Sequence, residues 1–289
     1  MAVSTLLRLL RPHQYIKNLF IFLPLFFAMK ITDFHLFSNT FVAFVAFSLS
    51  ASAIYILNDY HDIEEDRLHP KKRFRPLASG EVSKAQALRI MLVLIVAGFG
   101  VMASLSIDAL FILAFYTLMN VAYILRLKHI AILDVTIIAI GFVLRLFIGS
   151  AVTDISLSMW IVVMTFLLAL FMALAKRRDD VLIYNDTGRK MRKAVDGYNL
   201  RFLDTAMAIM ASVVIVAYTI YTTSPEVVAR MHSQYLYLTA LFVILGILRY
   251  LQIVFVFKNS GSPTLIILED RFMQATLLGW VLTFTWILY

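Results

Sequence analysis

Residues 58–66 read Asn-Asp-Tyr-His-Asp-Ile-Glu-Glu-Asp, and the type and spacing of these side chains suit a divalent cation. On a continuing helix Asp59, Asp62 and Asp66 share one face, because steps of three and four residues nearly close a 3.6-residue turn. Three carboxylates in a row repel one another unless a cation neutralises them. Hard oxygen ligands suit Mg²⁺, which keeps part of its water shell and is usually held by one or two carboxylates together with substrate phosphates. Asn58 adds an orienting amide, and Glu64 and Glu65 add negative charge. A solvated acidic helix end would use the same residue types, but nothing about it calls for the N-D-x-x-D-x-x-x-D spacing. Directly downstream come Arg67, His69, Pro70, Lys71, Lys72, Arg73, Arg75 and Pro76, a basic stretch that its prolines keep out of a long helix. Carboxylates followed by cations are what a metal-bound diphosphate needs: the metal bridges its oxygens, and Lys or Arg neutralises the remaining charge.

The elements that carry this motif are membrane helices. Of 289 residues, 61% are apolar and 15% charged, and the mean hydropathy is +0.84, well beyond a soluble domain. Nine apolar stretches approach the roughly 20 residues needed to cross a bilayer. They lie near 15–31, 39–58, 86–105, 107–126, 131–150, 158–175, 205–223, 234–256 and 272–289. Their hydrophobicity is continuous rather than alternating, so the expected fold is all-α, a polytopic membrane protein with about nine transmembrane helices. No linker or low-complexity segment divides the chain, and residues 1–289 are expected to form a single membrane domain. The segment around Arg8, Arg11 and Lys17 lacks a small-residue cleavage site, so the first apolar run is expected to be retained. The absence of cysteine excludes disulfides, zinc-thiolate sites, iron–sulfur clusters and a cysteine nucleophile.

Charge distribution orients the helices. Of the 26 Lys and Arg residues, 22 fall in the N-terminal segment and in the loops 60–89, 126–128, 176–201 and 257–271. Lysine and arginine concentrate on the cytoplasmic side, which puts the N-terminus inside and the C-terminus outside. Most acidic residues lie on that face too, so it is equipped for both signs of charge. The net charge of +8 is read as topology and phosphate binding, and no nucleic-acid partner is expected.

The stretch 58–80 resembles the first aspartate-rich motif of the UbiA superfamily of intramembrane prenyltransferases. Tyr123-Ile-Leu-Arg126-Leu-Lys128 is similar to that superfamily's tyrosine-to-lysine motif, with Ile124 where a small hydroxyl residue is frequent. The run from Arg11 and Pro12 through Lys17 and Asn18 resembles the opening of the decaprenyl-phosphate phosphoribosyltransferase branch. So does Asp134 followed by Gly141, Arg145 and Gly149. Asp134 and Arg145 are about three helical turns apart and share a face. An arginine at that depth is costly and faces a polar cavity or a partner. The loop that opens Lys176-Arg177-Arg178-Asp179-Asp180 departs from the D-x-x-x-D pattern of prenyl-diphosphate users. Adjacent helical residues diverge by about 100°, so Asp179 and Asp180 do not copy a same-face pair. The basic loop favours a donor carrying more phosphate.

The resemblance implies a UbiA-like bundle with a cytoplasmic polar cap, embedded in the inner cell membrane. It further implies Mg²⁺-dependent transfer of 5-phosphoribose from phosphoribosyl pyrophosphate to a polyprenyl (decaprenyl-type) phosphate, with release of pyrophosphate, in the making of cell-wall precursors. Asp59, Asp62 and Asp66 would hold Mg²⁺. Asn58 would be an outer ligand or orienting group, and Lys72, Arg75, Lys176, Arg177 and Arg178 would bind phosphates. Lys17, Tyr123, Lys128 and Arg145 would position the acceptor phosphate or the ribose, and Asn18, Asp134, Asp179 and Asp180 join the substrate-binding set. One alternative is a UbiA-type enzyme moving a prenyl group from its diphosphate to an aromatic or other acceptor. Another, of a different class, is a lipid-binding or transport protein; transporters often carry inverted repeats, and this chain has no internal repeat.

Overall fold

The computed structural model describes residues 3–68, 72–188, 193–257, 266–267 and 269–288. The expected basic positions His69, Pro70, Lys71, Arg189, Lys190 and Arg192 lie outside them. The described residues are helical, in the order α1 (Val3–Leu10), a 3-10 helix (Pro12–Phe22), α2 (Leu23–Phe27), α3 (Phe34–His61), α4 (Ile63–Leu68), α5 (Lys84–Leu105), α6 (Ile107–Leu125), α7 (Leu133–Thr153), α8 (Met159–Thr187), α9 (Leu200–Thr223), α10 (Pro225–Met231), α11 (Ala240–Phe255) and α12 (Arg271–Leu288). Short polar residues start the long helices by accepting from their first free N–H groups. Asp33 caps α3, Ser106 caps α6, Ser158 caps α8 and Asn199 caps α9. Ser83 and Gln86 form a reciprocal capping box at α5.

Among the described residues seven helical stretches are long and apolar enough to cross a membrane, against the nine expected: α3, α5, α6, α7, α8, α9 and 236–255. The first expected span, 15–31, folds instead as the 3-10 helix and the five-residue α2, ending in turns with Met29 at a φ of 56°. Eleven consecutive 3-10 residues are unusual, since runs beyond three or four are uncommon. The ninth stretch does form α12, but Arg271 and Gln274 dilute its apolar content. Lipid-facing side chains stand out on the peripheral faces: Leu92, Val93 and Val96 on α5, and Phe111, Phe115 and Leu118 on α6, are all exposed.

The chain divides into two compact units, residues 1–128 with 141–157, and residues 129–140 with 158–289. Helix α7 gives its opening turns to the second unit and the remainder to the first. In the first unit Leu9, Ala53, Ile56, Ile63, Leu77, Val82, Ala87 and Leu94 form an apolar cluster. It ties α1, α3, α4, the loop after residue 76 and α5 together at the end of α3 that bears the aspartates. Burying each large side chain there contributes about 1.5–3 kcal/mol relative to exposure in water. In the second unit α8 packs along α9 and α11 along α12, around a core that includes Phe171, Leu174, Val181, Val195, Leu203, Met207, Tyr250 and Val254.

Two glycines set how closely backbones approach in the first unit. A Cβ on Gly98 of α5 would collide with Ser50 Oγ and stand 2.7 Å from the Ala46 carbonyl of α3. A Cβ on Gly149 of α7 would collide with the carbonyl oxygen of Ile21 in the 3-10 helix. Backbone cannot yield as a flexible side chain can, so both sites require hydrogen in place of a methyl group. Gly149→Ala is therefore expected to lower stability by about 1–3 kcal/mol, in the range of core overpacking. The detergent-solubilised variant should unfold at a lower temperature than the parent. Because the 3-10 helix carries Lys17 and Asn18, turnover should fall with it.

Candidate functional site

Helix α3 stops at His61, and Asp62 occupies its C-cap with φ −97° and ψ 13° before α4 begins. Backbone hydrogen bonds nevertheless continue across the junction, from Asp62 N to Asn58 O and from Asp66 N to Asp62 O. The aspartates thus stay on neighbouring turns while their side chains take different partners. Arg11 Nη2 donates to both oxygens of Asp59, at 2.6 and 2.7 Å. One nitrogen of Arg75, Nη1, lies between two carboxylates, 3.0 Å from Asp59 Oδ1 and 2.6 Å from Asp66 Oδ2. Asp62 departs from this pair: Lys128 Nζ donates to it at 2.6 Å, and His61 Nδ1 lies 2.9 Å from the same oxygen. Burial alone would push the Asp62 carboxyl up, but the hydrogen bonds and charges of Lys128 and His61 outweigh it and hold the group below the usual carboxylate range. Each of the three acids has a basic side chain against it.

A second group in the same unit is cationic and unmatched. Arg145 is buried on α7, where Nε donates to Asn18 Oδ1 at 2.9 Å, Nη1 to the Gly141 carbonyl at 2.6 Å and Nη2 to the Tyr116 hydroxyl at 3.3 Å. Asn18 is fixed in turn by donating to Ser48 Oγ at 2.8 Å. Phe47, Tyr116 and Phe142 place their rings 4.7–5.2 Å from the guanidinium carbon. Rings and neutral oxygens orient a guanidinium without cancelling its charge. Among the described residues no carboxylate pairs with Arg145 or with Lys17, whose charged form is disfavoured by burial first and by the charges of Arg145 and Arg11 after it.

In the second unit Asp134 is fully buried at the start of α7 and accepts from Arg177 Nε and from the Tyr198 hydroxyl, at 2.5 and 2.6 Å. Arg177, 1% exposed, also donates to Asp180. Tyr198 receives the backbone N–H of Ile132 at 2.6 Å. Ile132 sits at a φ of 70°, a strained conformation for a β-branched residue, and this bond holds it there. Burial and the adjacent Asp134 carboxylate push the Tyr198 hydroxyl up, so it remains a donor. Arg178 is committed to Asp204 at 2.6 Å and to the Val254 carbonyl at 2.9 Å.

The structure thus groups Arg75, Asp59 and Asp66; Asp62 with Lys128; Asn18 with Arg145; and Asp134, Arg177 and Asp180. Lys176 is exposed, Asp179 is half-buried, and Asn58, Lys72 and Tyr123 are half-buried beside or downstream of the aspartates in the first unit. The sequence reading assigned no role to Arg11, Tyr116, Ser48 or Tyr198. Arg11 sits inside the quoted opening motif, and Tyr198 inside an Asp-Gly-Tyr-Asn loop. Tyr116 and Ser48 lie within apolar helices and carry no local signal.

Asp59 and Asp66 fit a divalent cation, since both already reach a single positively charged atom and both present hard oxygens. Among the described residues no group of three or more such side chains could hold an ion unaided. One or two carboxylates are enough for Mg²⁺ where water and substrate oxygens complete its shell.

Three comparisons relate the chain to known proteins. The sequence profile described as the UbiA prenyltransferase family matches residues 19–268. A decaprenyl-phosphate phosphoribosyltransferase of Mycolicibacterium smegmatis is 32% identical, over 96% of this chain and 91% of its own. A solved UbiA homolog from Archaeoglobus fulgidus bound to GPP and Mg²⁺ superposes with a TM-score of 0.75 at 18% identity, over 98% of this chain and 99% of that one.

The buried pair in the second unit makes a distinct prediction. Asp134→Asn removes one of the two carboxylates that Arg177 contacts, the fully buried one, and is expected to cost about 3–5 kcal/mol of stability. Tyr198→Phe removes the hydroxyl's bond to the same carboxylate and its bond from the Ile132 N–H, and should cost about 1.5–3 kcal/mol. Unfolding midpoints of both variants in detergent give the order.

Proposed function

The chain belongs to the UbiA prenyltransferase family, a family of membrane-embedded transferases, and from that premise we propose that it transfers 5-phosphoribose from phosphoribosyl pyrophosphate to a polyprenyl phosphate. The observation that carries this reading is the pairing, within one unit, of an acid–base cluster with an unmatched cation pair, Lys17 and Arg145. A donor diphosphate and an acceptor phosphate are two anions with different needs. The names of the curated relatives support the same pair of substrates.

In this scheme an oxygen of the lipid phosphate forms a bond to the anomeric carbon of the ribose, and the bond from that carbon to pyrophosphate breaks. The nucleophile is already an anion, so no strong base is required, and rate comes from alignment and from stabilising charge on the leaving group. Asp59 and Asp66, with Asp62 beside them, would hold Mg²⁺, which neutralises the departing pyrophosphate when bound. Asn58 orients the first of these carboxylates, and Lys72, Arg75 and Lys128 neutralise the remaining phosphate charge. Lys17 and Arg145 hold the acceptor phosphate, with Asn18 fixing the Arg145 guanidinium in place. Tyr123 faces the ribose. In the basic run of α8, Arg177 and Arg178, engaged by Asp134, Asp180 and Asp204, keep that turn in shape. Asp179 completes the run. The concentration of Lys and Arg in alternate loops puts these groups on the cytoplasmic side of the inner membrane, with the C-terminus outside.

The direct test is to incubate the purified protein with Mg²⁺, a polyprenyl phosphate and phosphoribosyl pyrophosphate labelled in the ribose, and to extract the lipid. Label in the organic phase is expected. Label confined to water, together with prenylation of an aromatic acid from a polyprenyl diphosphate, would place the chain with the aromatic prenyltransferases. Asp59→Asn should lower Mg²⁺-dependent turnover by at least about 100-fold, the scale of losing a group aimed at developing charge. Its elution in detergent should remain that of the parent.

A further inference from the structure

The positions of Arg11 and Arg75 raise a question that charge stabilisation of a substrate does not answer. Both donate to the carboxylates. Arg11 makes a two-oxygen contact with Asp59 across 48 residues of chain, and Arg75 places one nitrogen where Asp59 and Asp66 both reach it. The carboxylates are sealed, with side-chain exposures of 2% and 4%, while Arg11 and Arg75 retain 18% and 24%. The arginine side chains are thus the more exposed members of the cluster, and the carboxylates the sealed ones. Arg11 is held there at a cost: it has a φ of 55° and a ψ of 56°, a left-handed conformation for a residue with a Cβ, immediately before Pro12. Its guanidinium lies 5.5 Å from the Tyr55 ring centroid, which backs it against Asp59.

We infer that Arg11 and Arg75 are placeholder cations, occupying the cation seats of Asp59 and Asp66 until a diphosphate arrives with its divalent ion and takes over both guanidinium groups. The inference rests on reading Asp59 and Asp66 as metal ligands, and it concerns the order of binding rather than which donor is used. A divalent ion entering alone would meet fixed positive charge beside a cluster already neutralised, and close like charges repel strongly outside bulk water. An ion entering with a diphosphate brings the anion that the displaced guanidiniums require, and the planar fork of arginine matches phosphate oxygens two at a time. Arginine does not deprotonate in proteins, so the block is lifted by the anion and not by pH. Arg11 thereby becomes a specificity residue: it excludes free metal and admits the metal–diphosphate pair.

The experiment uses the full-length protein in detergent, Mn²⁺ as a spectroscopic stand-in for Mg²⁺, and inorganic pyrophosphate as the anion. Bound and free Mn²⁺ are read by electron paramagnetic resonance. The unsubstituted protein should retain Mn²⁺ much better with pyrophosphate than without it. Arg75→Gln and Arg11→Gln should each tighten binding of Mn²⁺ alone by about tenfold, the size of an ordinary coupling between sites, and should weaken binding of the Mn²⁺–pyrophosphate pair. Arg8→Gln is the control, since it makes the same change in net charge, but Arg8 pairs with Glu81 and touches none of the three aspartates. It should alter neither affinity.

Equal retention of Mn²⁺ with and without pyrophosphate by the unsubstituted protein would overturn the inference. So would Gln variants that bind Mn²⁺ alone no better than the parent, or an Arg8→Gln effect of the same size. The two arginines reach Asp59 from different segments, so loss of fold in one variant leaves the other to be read. Pyrophosphate is common to phosphoribosyl and prenyl donors, so the result is independent of the labelled-ribose assay.

Discussion

A carboxylate at the end of an apolar helix keeps its charge only with a cation against it, and the functional groups of this protein are arranged around that constraint. Asp59 is 2% exposed and Asp134 is fully buried. Leaving either unpaired would cost several kcal/mol, so each recruits an arginine from elsewhere in the chain. Asp59 draws one from the segment before the 3-10 helix and one from the loop after α4. Asp134 draws one from α8. These ion pairs constrain the local backbone: Arg11 sits in a left-handed conformation to reach its acid, and Tyr198 holds Ile132 in one beside Asp134. The apolar cluster of Leu9, Ile56, Ile63 and Leu77 keeps α1, α3 and α4 in the register that the first of these pairings needs.

Asp59 and Asp66, seven positions apart, were legible as neighbours from helical periodicity alone, and they do share one cation. Asp62 was expected on the same face. It takes Lys128, 66 residues away, as its partner instead, and a pairing of that range leaves no trace in local spacing. The transmembrane stretches from α3 to α9 were legible for the same reason as the motif, because continuous apolar runs of that length have few alternatives. The first expected stretch was equally apolar, yet it folds as a 3-10 helix whose Ile21 carbonyl lies against Gly149. Hydropathy does not report backbone proximity. Arg145 was visible as a buried charge in the sequence, but its Asn18–Ser48 support and its three-ring surround come from the packing of separate helices. For Arg177 and Arg178 the basic run suggested ligands. Their donors are spent on Asp134, Asp180, Asp204 and a backbone carbonyl, a division of labour that composition cannot express.

The functional proposal follows from how the first unit treats its charges. The aspartates and their cations form a group that can exchange partners when a metal–diphosphate arrives. Arg145 is oriented by neutral groups and keeps its charge available, with Lys17 close enough for the two to repel. An acceptor without an anionic group would leave that repulsion in place, whereas a lipid phosphate relieves it. On the proposed function, that gives Lys17 and Arg145 their part.

The most direct test of the proposed function is the fate of oxygen in the acceptor. Polyprenyl phosphate carrying ¹⁸O in its phosphate group would be supplied with phosphoribosyl pyrophosphate and Mg²⁺, and the lipid product and the released pyrophosphate analysed by mass spectrometry. If the lipid phosphate is the nucleophile, all of the ¹⁸O stays with a phosphoribosylated lipid and the pyrophosphate is unlabelled. Recovery of ¹⁸O in released inorganic phosphate or pyrophosphate, with the prenyl chain detached from its phosphate, would contradict it.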